Sequence, residues 1–189
     1  AYLIGSVSFA VIVSHAFKLP DPRSYGSGNP GATNVLRSGR KAAAVLTLLG
    51  DSGKGWVAVV LAGQFAAPPD VEIAVAAAGL AAVVGHMYPV FHRFQGGKGV
   101  ATALGVLFGF NIYVALGAAS TWIIIALFFR ISSLAAIVAA VFVPIAIVVM
   151  YNPAHPYFAA SFVIAVMLVY RHKANIQKLL AGSENRFGR

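Results

Sequence analysis

The sequence predicts an all-α, polytopic transmembrane helical bundle of about seven spans, with its N-terminus outside and its C-terminus in the cytoplasm. Three observations carry this: a shortage of charge, a series of long apolar segments, and a regular alternation in where the basic residues fall. Only 10% of the 189 residues are charged and 59% are apolar, with a mean hydropathy of +0.81. Soluble domains carry about 25% charged residues to build a hydrated surface, so much of this surface must face lipid. Cysteine is absent, which excludes disulfides and thiolate metal sites.

Apolar segments cover 1–17, 42–67, 71–91, 99–110, 112–129, 131–151 and 156–170. A span needs about 20 residues, within a range of roughly 17–25. The segments 71–91, 112–129 and 131–151 qualify outright. Segment 1–17 reads as one span truncated at its start; it has neither the basic n-region nor the A-x-A site of a signal peptide. Segment 42–67 is long but carries Asp51 and Lys54 near its middle. Segments 99–110 and 156–170 are short, as tilted or re-entrant helices are. No repeat or low-complexity tract divides the chain, so residues 1–189 are expected to form one domain.

The connections fall into two classes. Those near Pro68-Pro69-Asp70, Asn111 and 152–156 hold no Lys or Arg, only proline and asparagine turn signals. The loops 18–41 and 92–98, the turn at Arg130 and the tail 171–189 hold the rest. They carry every basic residue except Lys54, from Lys18 and Arg23 to Arg186 and Arg189. Basic and non-basic connections alternate across seven segments only if both short segments cross. The positive-inside rule then puts the basic loops in the cytoplasm. The tail has an amphipathic pattern, with Ile176, Leu179 and Leu180 on one side, suited to the interface.

The formal net charge of +9 reflects either that bias or an anionic substrate, and position decides between them. The loop Tyr25-Gly-Ser-Gly-Asn-Pro-Gly-Ala-Thr-Asn-Val-Leu-Arg37 offers conformationally free glycines whose N–H groups can converge on an anion. Ser27, Asn29, Thr33 and Asn34 add short polar side chains, and Arg37 a planar cation. In Gly50-Asp-Ser-Gly-Lys-Gly55, Asp51 and Lys54 are i,i+3 neighbours that either pair with each other or leave Lys54 for a substrate. Gly96-Gly97-Lys98-Gly99 opens an apolar segment, placing a lysine beside the free N–H groups of a helix start. It is no nucleotide P-loop, because glycine follows Lys98 where Ser or Thr is required. His86 and His172 lie near these clusters, and Tyr170-Arg-His-Lys-Ala-Asn175 groups Arg171, His172 and Asn175 by helical spacing. His15, His92 and His155 read as structural. The five histidines show no ligand spacing, so no metal is expected; no cofactor and no nucleic-acid partner are expected either.

These motifs resemble the bacterial integral-membrane acyl-phosphate:glycerol-3-phosphate acyltransferases. The matching stretches are Gly5-Ser6, Gly26-Ser-Gly-Asn-x-Gly-Ala-Thr-Asn-x-x-Arg37, Asp51-x-x-Lys54-Gly55, Gly85-His-x-x-Pro-Val-Phe91, Gly96-Gly-Lys-Gly-Val-Ala-Thr102 and Tyr170-Arg-His-x-x-Asn-Ile176. They occur in order along nearly the whole chain. The resemblance implies a bacterial cytoplasmic (inner) membrane protein, multi-pass, with its active site facing the cytoplasm. It implies acyl transfer from acyl phosphate to the 1-hydroxyl of glycerol 3-phosphate, the first step of phospholipid synthesis. Ser27, Gly28 and Asn29 would lie near the acyl phosphate. Arg37, Lys54, Lys98, Ser133, His172 and Asn175 would surround the phosphates and glycerol. Gln95 departs from the family, where lysine is common.

An acyl phosphate is already activated, so no covalent nucleophile is needed, and no Ser-His-Asp arrangement is evident. His86, Asp51 and a substrate phosphate oxygen are the candidates for general base, the phosphate being favoured. On this reading Ser27, Arg37, Lys98 and His86 carry catalysis. Gly28, Asn29, Thr33, Asn34, Lys54, Gly96, Gly97, Gly99, Ser133, His172 and Asn175 hold substrates, with membrane lipid as the other partner. The alternatives are a membrane transporter of organic or inorganic phosphate and a lipid-binding scaffold. A transporter would place its ionisable groups at the midplane, whereas here they gather at one face.

Overall fold

The computed structural model describes residues 1–187; Arg189, counted above in the basic tail, lies outside the described residues. Among these, every regular element is helical. The order is α1 (Tyr2–Ser6), α2 (Phe9–Ala16), α3 (Ala32–Leu36), α4 (Lys41–Phe65) and α5 (Val71–Met87), then a 3-10 turn at Val90–His92. It continues with α6 (Val100–Phe110), α7 (Ile112–Phe129), α8 (Ser132–Met150), α9 (Pro156–Arg171) and α10 (Lys173–Leu180).

Helices α4, α5, α7 and α8 are long and apolar enough to cross a membrane, while α6 and α9 are shorter apolar helices. Their boundaries follow local chemistry. Asn111 alone separates α6 from α7, and its side-chain oxygen accepts from the N–H groups of Tyr113 and Val114 at 2.8 and 3.2 Å. His155 does the same for α9, accepting from Tyr157 N–H at 3.2 Å, with Pro156 at the first helical position. The structural reading of His155 agrees with that capping role.

The first apolar segment, expected to form one span, is two helices broken at Val7 and Ser8. Val7 and Ser8 are extended, which frees the Val7 carbonyl from the helical ladder. Such a break is tolerated at membrane depth only where protein supplies new partners. Lys54 Nζ supplies one, donating to Val7 O at 2.6 Å. The α1 half packs closely on α5: a Cβ at Gly5 would meet the Ala82 backbone, and one at Gly85 the backbone of Tyr2 and Ser6.

Helix α6 packs tightly on α4, with Gly55 facing the Thr102 carbonyl and Gly105 facing the Ser52 carbonyl. Gly109 then meets Val59 further along both helices, so the two run the same way. The crossing lies about 20 Å into α4 but only about 7 Å into α6, at 1.5 Å per residue. The start of α6, an 11-residue helix, is therefore recessed relative to the start of α4 by on the order of 10 Å. Gly105→Val is expected to destabilise the bundle by about 1–3 kcal/mol through overpacking, read as earlier thermal unfolding in detergent. Gly53→Ala, where an added Cβ meets nothing, should melt like wild type or later.

The main core joins Val83, Met87, Val106, Phe110, Ile147 and Leu168 among others, and a smaller one joins Ala10, Val13, Val35 and Ala43. Between the α4–α6 pair and the α7–α8 pair the bundle leaves a cavity.

Candidate active site

The cavity measures about 690 Å³ and has two unlike halves. Its inner walls are apolar, including Leu104, Leu107, Trp122, Ala139, Ala140 and Val143. Its mouth is polar, and most of the residues expected from sequence meet there: Ser27, Asn29, Thr33, Asn34, Arg37, His86, Lys98, Gly99, Ser133, His172 and Asn175 all line it. Gly28, Lys54, Gly96 and Gly97 do not.

Lys98 and Gly99 are placed by the start of α6. Gly99 caps the helix at φ +87°, a left-handed conformation that suits glycine. Its carbonyl accepts from Ala103 N–H, the first helical bond, so the N–H groups before Ala103 have no acceptor within the helix. The Lys98 ammonium donates to Asn175 Oδ1 at 2.5 Å. Burial, with Arg171, Arg37 and Lys178 nearby, pulls its pKa down to about 8 against the attraction of Glu184. An anion arriving here meets a cation short of counter-charge.

The glycine run before it serves differently from the expected open nest. Gly97 N–H donates to the His86 carbonyl at 3.1 Å. The carbonyls of Gly96 and Gly97 accept from Arg171, at 2.7 Å from Nη2 to Gly96 O and 3.2 Å from Nε to Gly97 O. At Gly96 and Gly97, His86 fills the space a Cβ would take. Arg171 is thus a brace under the Lys98 loop, stacked over the Tyr88 ring at 5.4 Å. It parts company with Asn175 because helix α9 ends at Arg171 and the chain turns at His172.

The 26–37 loop is also rebuilt. Ser27 N–H donates to Asn34 Oδ1 at 2.9 Å, and Gly28 N–H to Tyr25 O at 3.0 Å. These donors are consumed inside the loop, with Gly26 and Gly28 at φ +60° and +67°. Asn34, expected to touch substrate, is its hub: 2% exposed, it also donates to Pro22 O and Tyr25 O. The loop's outward-facing groups are the Ser27 hydroxyl and the Arg37 guanidinium, both exposed.

Lys54 is paired with Asp51. Its Nζ lies 2.7 Å from Asp51 Oδ1 and 2.9 Å from His86 Nδ1, behind the cavity wall that Asp51 and His86 form. On the far wall, Ser133 Oγ and Asn175 Nδ2 both donate to Glu184 Oε1, at 2.8 and 2.6 Å. His172 Nδ1 lies 2.7 Å from Leu168 O, a carbonyl that can only accept, so Nδ1 carries the proton and Nε2 keeps its lone pair. Burial and Lys98 lower the His172 pKa to about 4, and the ring is neutral. Sequence reasoning missed Glu184 and the role of Arg171. The signal for Glu184 was available: it is the one acid in a tail of cations. Among the described residues no cluster of His, Cys, Asp or Glu could hold a metal ion.

Fold and site together define an integral membrane protein in which an apolar shaft opens onto a cationic, hydroxyl- and amide-lined mouth. The chain belongs to the glycerol-3-phosphate acyltransferase family, whose pattern it matches over residues 1–182. It is 60% identical to the glycerol-3-phosphate acyltransferase of Burkholderia ambifaria over 189 residues, covering all of this chain and 88% of that one. To the protein of the same name from Ralstonia nicotianae it is 59% identical, covering all of this chain and 91% of that one. The fold is similar to crystal structures of PlsY, an integral membrane glycerol 3-phosphate acyltransferase. The glycerol 3-phosphate form matches with a TM-score of 0.90 and the lysophosphatidic acid form with 0.88. Each is 41% identical to this chain; they cover 99% of it and 92% and 91% of their own lengths.

Proposed function

We propose that this protein transfers an acyl group from acyl phosphate to the 1-hydroxyl of glycerol 3-phosphate, releasing 1-acylglycerol 3-phosphate and inorganic phosphate. The observation that carries the proposal is a single cavity joining an apolar shaft to a cationic mouth. An acyl chain suits the first and two phosphates the second. Arg37 and Lys98 offset the repulsion of the phosphates. Ser27, Asn29, Thr33, Ser133 and Asn175 offer polar contacts around them, and His172 Nε2 accepts from a glycerol hydroxyl. The glycerol 1-oxygen attacks the acyl carbon, the bond from that carbon to the phosphate oxygen breaks, and phosphate leaves with the electron pair. The hydroxyl proton passes to a phosphate oxygen. Catalysis rests on alignment and charge stabilisation.

The purified protein, given acyl phosphate and glycerol 3-phosphate, is expected to release phosphate and lysolipid in equal amounts. Phosphate uptake into proteoliposomes without lysolipid would instead establish a transporter.

The free Lys98 ammonium loses its proton as pH rises through about 8, while a bound phosphate dianion holds the proton on. The KM for glycerol 3-phosphate should therefore be flat near pH 7 and climb above pH 8, approaching about tenfold per unit. Lys98→Met should abolish that climb.

We place the protein in the bacterial inner membrane with seven crossings, the N-terminus outside and the cavity mouth in the cytoplasm, on the alternation of basic connections. The cysteine-free chain allows a direct check. Arg40→Cys should react with an impermeant maleimide only from the cytoplasmic side, and Ala154→Cys only from the other; both positions are exposed.

A further inference from the structure

The most enclosed cation in the described chain is Lys54, whose side chain is 3% exposed beside an Asp51 side chain of 2%. Its Nζ has three neighbours: Val7 O at 2.6 Å, Asp51 Oδ1 at 2.7 Å and His86 Nδ1 at 2.9 Å. An ammonium has three N–H groups and no lone pair, so these neighbours take every donor it has. The Asp51 carboxylate keeps Lys54 charged, since an unpaired carboxylate at this depth is costly. His86 Nδ1 must then accept, which leaves the imidazole neutral with its proton on Nε2.

That second nitrogen faces Gly97. A Cβ on Gly97 would strike His86 Nε2 and lie 3.0 Å from the Pro30 carbonyl, so the imidazole edge, Gly97 and Pro30 meet at one point. The His86 carbonyl also holds Gly97 N–H. One buried charge thus ties the break in the first apolar segment to α4 and α5. Through His86 it reaches both glycine segments of the cavity mouth, at Pro30 and just before Lys98.

We infer that Lys54 is a positioning residue for acyl transfer: it touches neither substrate, and locks His86 as the neutral Nε2–H tautomer that seats the Gly97–Lys98 turn. The inference rests on the acyltransferase reading for its consequence, though not for its geometry. It also removes His86 as general base, because the ring nitrogen with a lone pair is bonded to an ammonium. The proton of the attacking hydroxyl must leave by another route, as through a phosphate oxygen.

The direct test is the ring-nitrogen NMR of ¹⁵N-histidine-labelled wild-type protein in nanodiscs at pH 7, with the His86 signals identified by their loss in His86→Gln. A neutral Nε2–H imidazole is expected, with and without glycerol 3-phosphate; an imidazolium or an Nδ1–H tautomer overturns the inference. The second arm is Lys54→Met, with Asp51→Asn/Lys54→Met as the charge-neutral substitute if an unpaired Asp51 prevents folding. The His86 tautomer should change and kcat should fall by at least about tenfold. The dissociation constant for inorganic phosphate should stay within about threefold of wild type, the split expected of a group that does not bind the anion. Phosphate binding weakened as much as in Lys98→Met would make Lys54 a ligand, and an unchanged kcat would make it a bystander; either overturns the inference. The tautomer needs no turnover, so a wild-type protein without acyl transfer would sink the acyltransferase reading while leaving the Lys54–His86 lock to be judged on its own spectrum.

Discussion

Lys98→Met is expected to lower kcat/KM for glycerol 3-phosphate by at least about a hundredfold while leaving the protein folded. Methionine keeps most of the aliphatic stem and removes only the charge. The side chain sits at the recessed start of α6, where the helix N-terminus adds its own partial positive charge, so the ammonium acts together with fixed dipoles in a site of restricted water. Charged donors aimed at developing negative charge are worth about 10²–10³ in rate when removed, whereas an exposed surface charge is worth little. The low pKa of Lys98, about 8, reports a cation without enough counter-charge, and a phosphate would supply it. Lys98→Arg should not restore activity fully. The guanidinium is longer and planar, and the ammonium is held against Asn175 Oδ1 at 2.5 Å. The measurement is steady-state kinetics on purified variants with melting curves alongside. Retention of more than about a third of wild-type kcat/KM in a folded Lys98→Met would remove Lys98 from the chemistry.

The same residue marks how far the sequence could be read. That Lys98 opens a helix at a glycine cap was legible, because glycine punctuation and apolar onset are local signals. The i,i+3 pairing of Asp51 with Lys54 was legible for the same reason. What Lys54 does beyond that was not: its other partners, Val7 O and His86 Nδ1, are 47 and 32 residues away, and a backbone carbonyl leaves no trace in sequence. The break at Val7-Ser8 was hidden because neither residue is a helix breaker; the partner that stabilises it is on another helix. The glycines were expected to free N–H groups for an anion. The fold shows in addition that a Cβ would meet Asn34 at Gly26 and His86 at Gly96 and Gly97, while Gly28 is set by its left-handed φ of +67°. Residue type reveals that space is scarce, and only the fold reveals what takes it.

Asn34→Ala should therefore damage the site as much as loss of a ligand would, without Asn34 touching one. The side chain is 2% exposed, and its Oδ1 accepts from Ser27 N–H at 2.9 Å. Its Nδ2 donates to Pro22 O at 2.6 Å and Tyr25 O at 3.1 Å. Truncation leaves a buried Pro22 carbonyl and the Ser27 N–H unpartnered, at about 1–3 kcal/mol for each group that water cannot reach. The loop then has no reason to hold Gly26 and Gly28 in left-handed conformations, and Ser27 and Arg37 lose their common frame. Misplacement of reacting groups by about 1 Å costs on the order of a hundredfold, so kcat/KM should fall that far. Asn34→Asp separates hydrogen bonding from packing: it keeps the volume and one acceptor but turns a carboxylate oxygen toward two carbonyls. It should be as poor as alanine. Both variants should also be nicked faster by trypsin after Arg23, which lies in the freed loop. A fully active Asn34→Asp would mean that shape alone holds the loop, and an inactive variant with wild-type protease resistance would return Asn34 to the substrate.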